Sequence, residues 1–332
     1  MKTIVKFLFY QLVCPLLLFF KMDKLMRKRS NHRHLIIMYH GVSNKKNFSI
    51  NGRHLPAEEF EQHLRYYKNN FDIVSLDEIC KTNGCTRARH CISLTFDDGY
   101  SNNIQNAVPL LLKYQIPATF FVSSIGLIDK EYLHPSDQID LIAHAGPADV
   151  NINGAAFSRK NKKLLNKDFD AYQYINSLTF DEFKKTLLVL KRQFPFNDLV
   201  ATIDPEVYKV VTSETVIDLA SNRLFSVGSH SHDHVNLTQL SEPELSDQLA
   251  GSKNLLESAL YSPVKAIAFP YGYFNTQVVK LSQQHGYEYL VAGGSVESEW
   301  KGLVLPRIGI LNMAGYAFNM LSISRGFKKF GF

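Results

Sequence analysis

Hydrophobic and polar positions alternate along most of this chain in blocks of two kinds. Leu35-Ile36-Ile37-Met38-Tyr39 is a short apolar run of β type, followed by His40-Gly41 and a polar loop. Pro56 opens a helix with Glu58 and Glu59 in its first turn and Phe60, Leu64 and Tyr67 as one apolar stripe. The pattern predicts a strand over 71–74, a brief helix capped by Ser75, and a strand over 91–96 that ends in Asp97-Asp98-Gly99. A helix over 104–114 and a strand over 118–122 follow. The rhythm returns with a strand over 224–227 that leads into 228–234. Ser241 and Glu244 then form a capping box before a long helix with Leu245, Leu249 and Leu256 inward. A strand over 266–269 ends in Pro270-Tyr271-Gly272, Asn275 caps a helix that stops at Gly286, and strands are expected over 289–292 and 303–308. Repeated strand–loop–helix units imply a parallel sheet with crossover helices, either open or closed into a barrel. From about 124 to 223 the rhythm lapses into a charged, Asn-rich stretch with one clear helix over 180–194, expected to be an insertion in the domain.

The two ends differ from the middle. Residues 4–20 are almost wholly apolar, at the short limit for spanning a bilayer. The positive charge is heavier after this run than before it, and Phe19-Phe20-Lys21 is no cleavage site, so it does not read as a cleaved signal peptide. Residues 1–34 are expected to associate with a membrane, either spanning it or lying in the interface; a buried core helix is the plainer alternative. The positive-inside rule then leaves the main domain facing the cytoplasm, with the extracytoplasmic side as the rival. Residues 313–332 form a basic amphipathic tail that is either a second interfacial element or an ordinary packing helix. With 332 residues, 45% of them hydrophobic, there is ample material for one large α/β domain. The net charge of +6 is concentrated at the ends: Lys2, Lys6, Lys21, Lys24, Arg27, Lys28, Arg29 and Arg33 at one, Arg325, Lys328 and Lys329 at the other. The middle is close to neutral, which excludes a nucleic-acid footprint across the domain. Cys14, Cys80, Cys85 and Cys91 are too few and too irregular for a disulfide framework, and fit a reducing compartment.

Three motifs directly follow predicted strands: Asp97-Asp98-Gly99, the segment from His230 to His234, and Pro270-Tyr271-Gly272. In a parallel sheet or barrel such loops emerge on one rim, where active sites sit. His230 and His234 are four residues apart, a spacing that puts two imidazoles on one side of a helical turn. With Asp98 they make three metal ligands and leave room for water and substrate. Asp97 is then free to act as general base toward a water whose pKa the ion lowers to about 7. Taken singly, each motif has an ordinary explanation: Asp-Gly is a common hairpin turn, paired histidines on a surface turn are often solvated, and Pro-Tyr-Gly is a turn signal. By the same spacing His232 faces elsewhere and is not expected to be a ligand.

Together Thr95-Phe-Asp-Asp-Gly99, His230-Ser-x-x-His234 and Phe269-Pro-Tyr-Gly272 resemble the polysaccharide deacetylases, the NodB-like carbohydrate esterase family 4. Met38-Tyr-His-Gly-Val42 and Ile116-Pro-Ala-Thr-Phe-Phe-Val122 add to the likeness, which covers about 35–122 and 224–310. The resemblance implies a distorted (β/α)7 barrel, here a catalytic domain over 35–312 carrying the insertion. It implies a catalytic base at Asp97, metal ligands at Asp98, His230 and His234, and a backbone N–H at Tyr271 that stabilises the oxyanion. Two departures stand out. Ala268 occupies the place of an Arg that contacts the base in many members, and Arg307 is the expected substitute. No His follows His285 to serve as the family's general acid, and His40 at the end of the first strand is the expected replacement.

The resulting expectation is a hydrolase using Zn²⁺ or another divalent metal to remove acetyl groups from N-acetylated sugars. Its substrate would be a cell-envelope polysaccharide or a lipid-linked glycan precursor, its second partner a membrane surface, and nucleic acid is no partner. The alternatives are an inactive sugar-binding or membrane-assembly protein of the same fold, a deformylase or O-deacetylase, and an Fe²⁺ oxygen-activating site built on the same two His and one carboxylate.

Overall fold

A computed structural model describes residues 6, 8–30, 34–44, 50–81, 89–167, 169–201 and 203–327. Lys2, Ile4, Arg33, Cys85, Lys328, Lys329 and Phe330, all part of the expectations above, lie outside them. The first turns, Phe9–Val13, run into α1 (Cys14–Phe19), and α2 (Met22–Lys28) follows a left-handed Lys21. Then come β1 (His34–Tyr39), β2 (Gly41–Ser43), β3 (His54–Pro56), α3 (Ala57–Asn70), β4 (Asp72–Ile73), α4 (Leu76–Lys81) and β5 (Cys91–Phe96). Next are α5 (Val108–Tyr114), β6 (Ala118–Val122), α6 (Pro135–Ala145), β7 (Asp149–Ile152), β8 (Ala155–Lys160) and β9 (Lys163–Leu165). The chain continues through α7 (Ala171–Asn176), α8 (Phe180–Gln193), α9 (Phe196–Ala201), α10 (Ser213–Ser221), β10 (Phe225–Ser229) and α11 (Glu242–Leu260). It finishes with β11 (Ala266–Ala268), α12 (Thr276–Gln284), β12 (Tyr289–Gly293), β13 (Val304–Gly309) and α13 (Gly315–Arg325).

Seven parallel strands close on themselves in the order β1-β13-β12-β11-β10-β6-β5, with β5 pairing back to β1 from His34–Cys91 to Tyr39–Phe96. Closure removes every sheet edge from this ring. β4 adds a short pairing to the first residues of β5, so the strand expected over 71–74 is only two residues long. Inward-pointing residues decide how narrow the barrel is. A Cβ at Gly228 would meet the Phe121 ring at 2.5 Å, so the missing side chain on β10 makes room for the phenyl group of β6. Outside, Phe60, Leu64 and Tyr67 of α3 and Leu111 of α5 pack on Leu35, Ile37, Leu94 and Phe96.

The insertion shares its core with the barrel. Ile142, Val150, Phe157, Ile175 and Leu190 belong to the same buried cluster as Leu249, Phe269 and Val278. It holds a three-stranded antiparallel sheet, β7-β8-β9, that the charged sequence concealed: only Val150 and Ile152 alternate inward on β7. α10 packs against β10 and α11, so it belongs to the barrel wall and the insertion stops short of residue 223. Of the C-terminal tail, the described part holds a packing helix, α13, with Met320, Leu321 and Ile323 buried. Among the described residues, no helix is long and apolar enough to cross a membrane. Among the described residues Cys91 is disulfide-bonded, and Cys14 and Cys80 are free thiols.

Candidate active site

Asp97 continues the β5 ladder by one bond, its N–H donating to the Tyr39 carbonyl at 2.9 Å. The chain then turns through left-handed Asp98 (φ 69°) and Gly99 (φ 68°). Asp tolerates that conformation better than most side chains, and at Gly99 a Cβ would also press on Val122 at 3.2 Å. The turn aims Asp97 into the barrel and Asp98 toward the loop after β10.

That loop corrects one expectation. His230 to His234 is not a helical turn, because Ser231 (φ 62°) and His234 (φ 53°) are both left-handed. The fold is set by local polar bonds: Ser231 N–H donates to Ser229 Oγ at 3.2 Å, and His234 N–H to Ser231 Oγ at 3.1 Å. The two imidazoles still meet. His230 Nε2 stands 3.3 Å and His234 Nε2 3.0 Å from Asp98 Oδ1, and one ligand atom from each of the three lies within 4.8 Å of the others. All three side chains are buried.

The hydrogen bonds on the far side of each ring test whether this set suits a cation. His230 Nδ1 donates to the Ala268 carbonyl at 2.7 Å. Tyr271 Oη donates to the His234 carbonyl at 3.2 Å, which leaves its oxygen to accept from His234 Nδ1 at 3.1 Å. Each imidazole therefore has its Nδ1 held by an outer partner and turns its Nε2 toward a carboxylate oxygen. Three converging donor atoms with oriented outer partners are a ligand set suited to a divalent metal. Burial raises the Asp98 carboxyl, but His234 and His230 beside it hold it well below the usual carboxylate range.

Asp97 lies next to this group without belonging to it. Arg307 on β13 reaches across the barrel and donates from both terminal nitrogens to the two Asp97 oxygens, each at 2.6 Å, and from Nη1 to Thr95 Oγ1 at 3.2 Å. Burial pushes Asp97 up, yet Arg307 and then His230 bring its pKa below the usual value, so the group is an ionised carboxylate. Tyr271 and Gly272 form a left-handed pair (φ 59° and 74°), and at Gly272 a Cβ would meet the Gly293 carbonyl at 3.0 Å. His40, half-buried, directly follows β1 and opens on the same cavity. Burial lowers its pKa against the opposing pull of Asp98 and Asp97. Asp97, Asp98, His230, His234, Tyr271, His40 and Arg307 thus all line one cavity of about 240 Å³.

Several lining groups carried no motif. Arg53, Ser136 and Tyr172 complete the wall, the last two from the insertion. The Tyr172 ring stands 5.5 Å from that of Tyr271, edge to face, and Arg53 is held by Asp137 at 2.5 Å and Asp140 at 2.9 Å. Burial raises Asp137 to about 7 despite Arg53. His134, also from the insertion and fully buried, donates from Nε2 to the Asp98 carbonyl at 2.8 Å and so braces left-handed Asp98 from behind. The only sequence signal for the insertion residues was their polarity within a stretch that broke the barrel rhythm, and for Arg53 its place in the polar loop before Pro56. His232, by contrast, bonds Ser124 Oγ at 2.8 Å, and His285 bonds Ser246 Oγ at 2.9 Å, and neither lines the cavity.

The family model for polysaccharide deacetylase matches residues 85–290. The chain belongs to the polysaccharide deacetylase family. It is 22% identical over 289 residues to YxkH of Bacillus subtilis (strain 168), whose name carries a provisional polysaccharide deacetylase assignment, covering 85% of this chain and 74% of that one. Among solved structures it is similar to IcaB from Ammonifex degensii (TM-score 0.58, 14% identity, 90% of this chain and 99% of that one). It is also similar to the Streptococcus pyogenes deacetylase PplD in complex with acetate (TM-score 0.55, 18% identity, 87% and 96%). At such identities the structural likeness speaks for the fold. As a polysaccharide deacetylase of the NodB-like type, the chain is a hydrolase whose substrate class is an acetylated polysaccharide.

Proposed function

We propose that this polysaccharide deacetylase is metal-dependent and removes N-linked acetyl groups from amino sugars. The observation that carries the reading is the Asp98–His230–His234 donor set beside an ionised Asp97 that is not one of its members. A divalent ion bound there supplies a Lewis acid for the acetyl carbonyl and lowers the pKa of a water. Asp97 accepts the proton of the attacking water, and Arg307 keeps that carboxylate ionised and aligned with two parallel bonds. The Tyr271 N–H faces the developing oxyanion. His40 delivers a proton to the departing nitrogen, a step that an acetamide needs and an acetyl ester of a good leaving group does not. Arg53 and Tyr172 hold the sugar.

Acetate release from chitooligosaccharides, measured with and without chelator and beside an Asp98→Ala control, tests this. Activity abolished by chelator, restored by Zn²⁺, and absent together with bound metal in Asp98→Ala is expected. Release that survives exhaustive chelation, or an Asp98→Ala protein that keeps both metal and activity, would overturn it. His40→Ala is expected to lose turnover on acetamides while hydrolysing acetyl esters of good leaving groups, with metal content unchanged.

A further inference from the structure

The flank of the barrel, away from the cavity, carries a surface that deacetylation does not use. The first helical segment has two faces. On one, Tyr10 packs at a tilt against Phe318 of α13 at 4.6 Å between ring centres, Cys14 is fully buried, and Leu18 packs on the core beneath. On the other, Leu8, Leu12, Leu16 and Phe19 recur at helical spacing and stay in the open: Leu12 is 58% exposed, Leu16 57% and Phe19 78%, with Phe20 beside them at 70%. A helix that is apolar all round needs an apolar environment on its second side too, and a contiguous patch of this kind marks an interaction site.

Charge says what that environment is. Lys6, Lys21, Lys24, Lys28 and Arg29 are exposed along the same segment. Its single acid, Asp23, is buried and accepts from Arg27 at 3.2 Å and from Tyr66 Oη at 2.6 Å. The patch is therefore an apolar stripe with basic residues about it and no exposed acid among the described residues 6–30. A second copy of the chain would bring like charges together, whereas an anionic lipid surface offers hydrocarbon for the stripe and phosphate for the bases. The segment is also tied firmly to the barrel. Arg27 donates to Tyr66 Oη at 2.8 Å, Ser324 Oγ at 3.0 Å and Asn70 Oδ1 at 2.8 Å, joining α2 to α3 and α13.

We infer that the N-terminal helices, bracketed by α13, form a rigid docking face for an anionic bilayer, lying in its interface without crossing it. None of these residues lines the catalytic cavity, so the inference stands apart from the deacetylase reading.

Co-sedimentation of the full chain with vesicles tests it. Binding to phosphatidylcholine vesicles containing about one third phosphatidylglycerol is expected to exceed binding to phosphatidylcholine alone by at least roughly tenfold, and to fall as far in about 0.5 M salt. A Leu12→Asp/Leu16→Asp variant is expected to lose roughly tenfold in binding while its thermal unfolding and its acetate release stay as in the parent. The parent remaining in the supernatant, equal binding to neutral vesicles, or unchanged binding of the variant would each overturn the proposal. So would light scattering that shows a dimer in the parent and a monomer in the variant, because a second copy would then cover the stripe. Thermal unfolding reports folding even if no substrate releases acetate, which keeps this result separate from the test of the enzyme.

Discussion

The motif rim and the insertion wall enclose one cavity, but they reach it by different means. Asp97, Asp98, His230 and Tyr271 sit where strands end, and each is held by bonds to backbone or by a left-handed turn within a few residues of itself. His134, Ser136 and Tyr172 come from an element with no barrel rhythm, and they are placed by packing that buries the insertion in the same core as α11 and α12. The lesson concerns where precision comes from. A side chain at a strand end inherits its position from the sheet, while a residue on the insertion keeps its position only as long as the long-range core holds.

The sharpest way to break this comparison is at Arg307, which belongs to the rim but acts across the barrel. Arg307→Ala leaves Asp97 buried without its partner, and is expected to cost about 3–5 kcal/mol of stability and to cut turnover by roughly 10²-fold or more. Denaturant unfolding and acetate release measure the two, with metal content unchanged. Turnover at the parental level would remove Arg307 from the reaction.

A smaller effect is expected on the insertion side. His134→Phe keeps the bulk but loses the donor to the Asp98 carbonyl, and metal affinity should weaken by roughly 10–100-fold. Titration against a competing chelator reads this directly. An affinity within about twofold of the parent would mean that the insertion shields the site without bracing it.

The smallest effect tests the seam between the regions, where His54 stacks edge-on against Tyr100, which in turn bonds Asp137 of the insertion. Burial, helped by Arg53, lowers the His54 pKa to about 3, so the folded protein holds a neutral imidazole. The sign follows from linkage: the unfolded chain takes up a proton near pH 6.5 that the folded one refuses. The contribution of this group is therefore complete above that pH and is lost as pH falls toward 3, by at most about 1.4 kcal/mol per pH unit. His54→Asn should flatten that slope in urea unfolding over pH 4–7. Parallel slopes in parent and variant would show that His54 titrates freely.

Much of the fold was legible because its signals are local. β1, β5, β6 and β10–β13 follow from short apolar runs, and α3, α8, α11 and α12 from stripes and caps such as Ser241–Glu244 and Asn275. β7–β9 escaped notice because two inward residues on a charged hairpin resemble a solvated loop. The spacing of His230 and His234 pointed to two side chains that do meet, although the helical reason for it was mistaken. Two left-handed residues bring the rings together instead.

By itself the sequence determined which chemistry is carried: two adjacent acids, two histidines and a Pro-Tyr-Gly turn, each directly after a strand, in the order of a known family. The family resemblance offered Arg307 as a stand-in partner for Asp97, but only the tertiary structure decided the partnerships. Arg307 lies 210 residues from Asp97 along the chain, and His134 lies 36 from Asp98, yet each donates to its partner within hydrogen-bonding distance. Such pairs depend on barrel closure and on a shared core. No periodicity or spacing along the chain encodes which distant side chain will face a given carboxylate, because that is settled by how the strands close and what then fills the space between them.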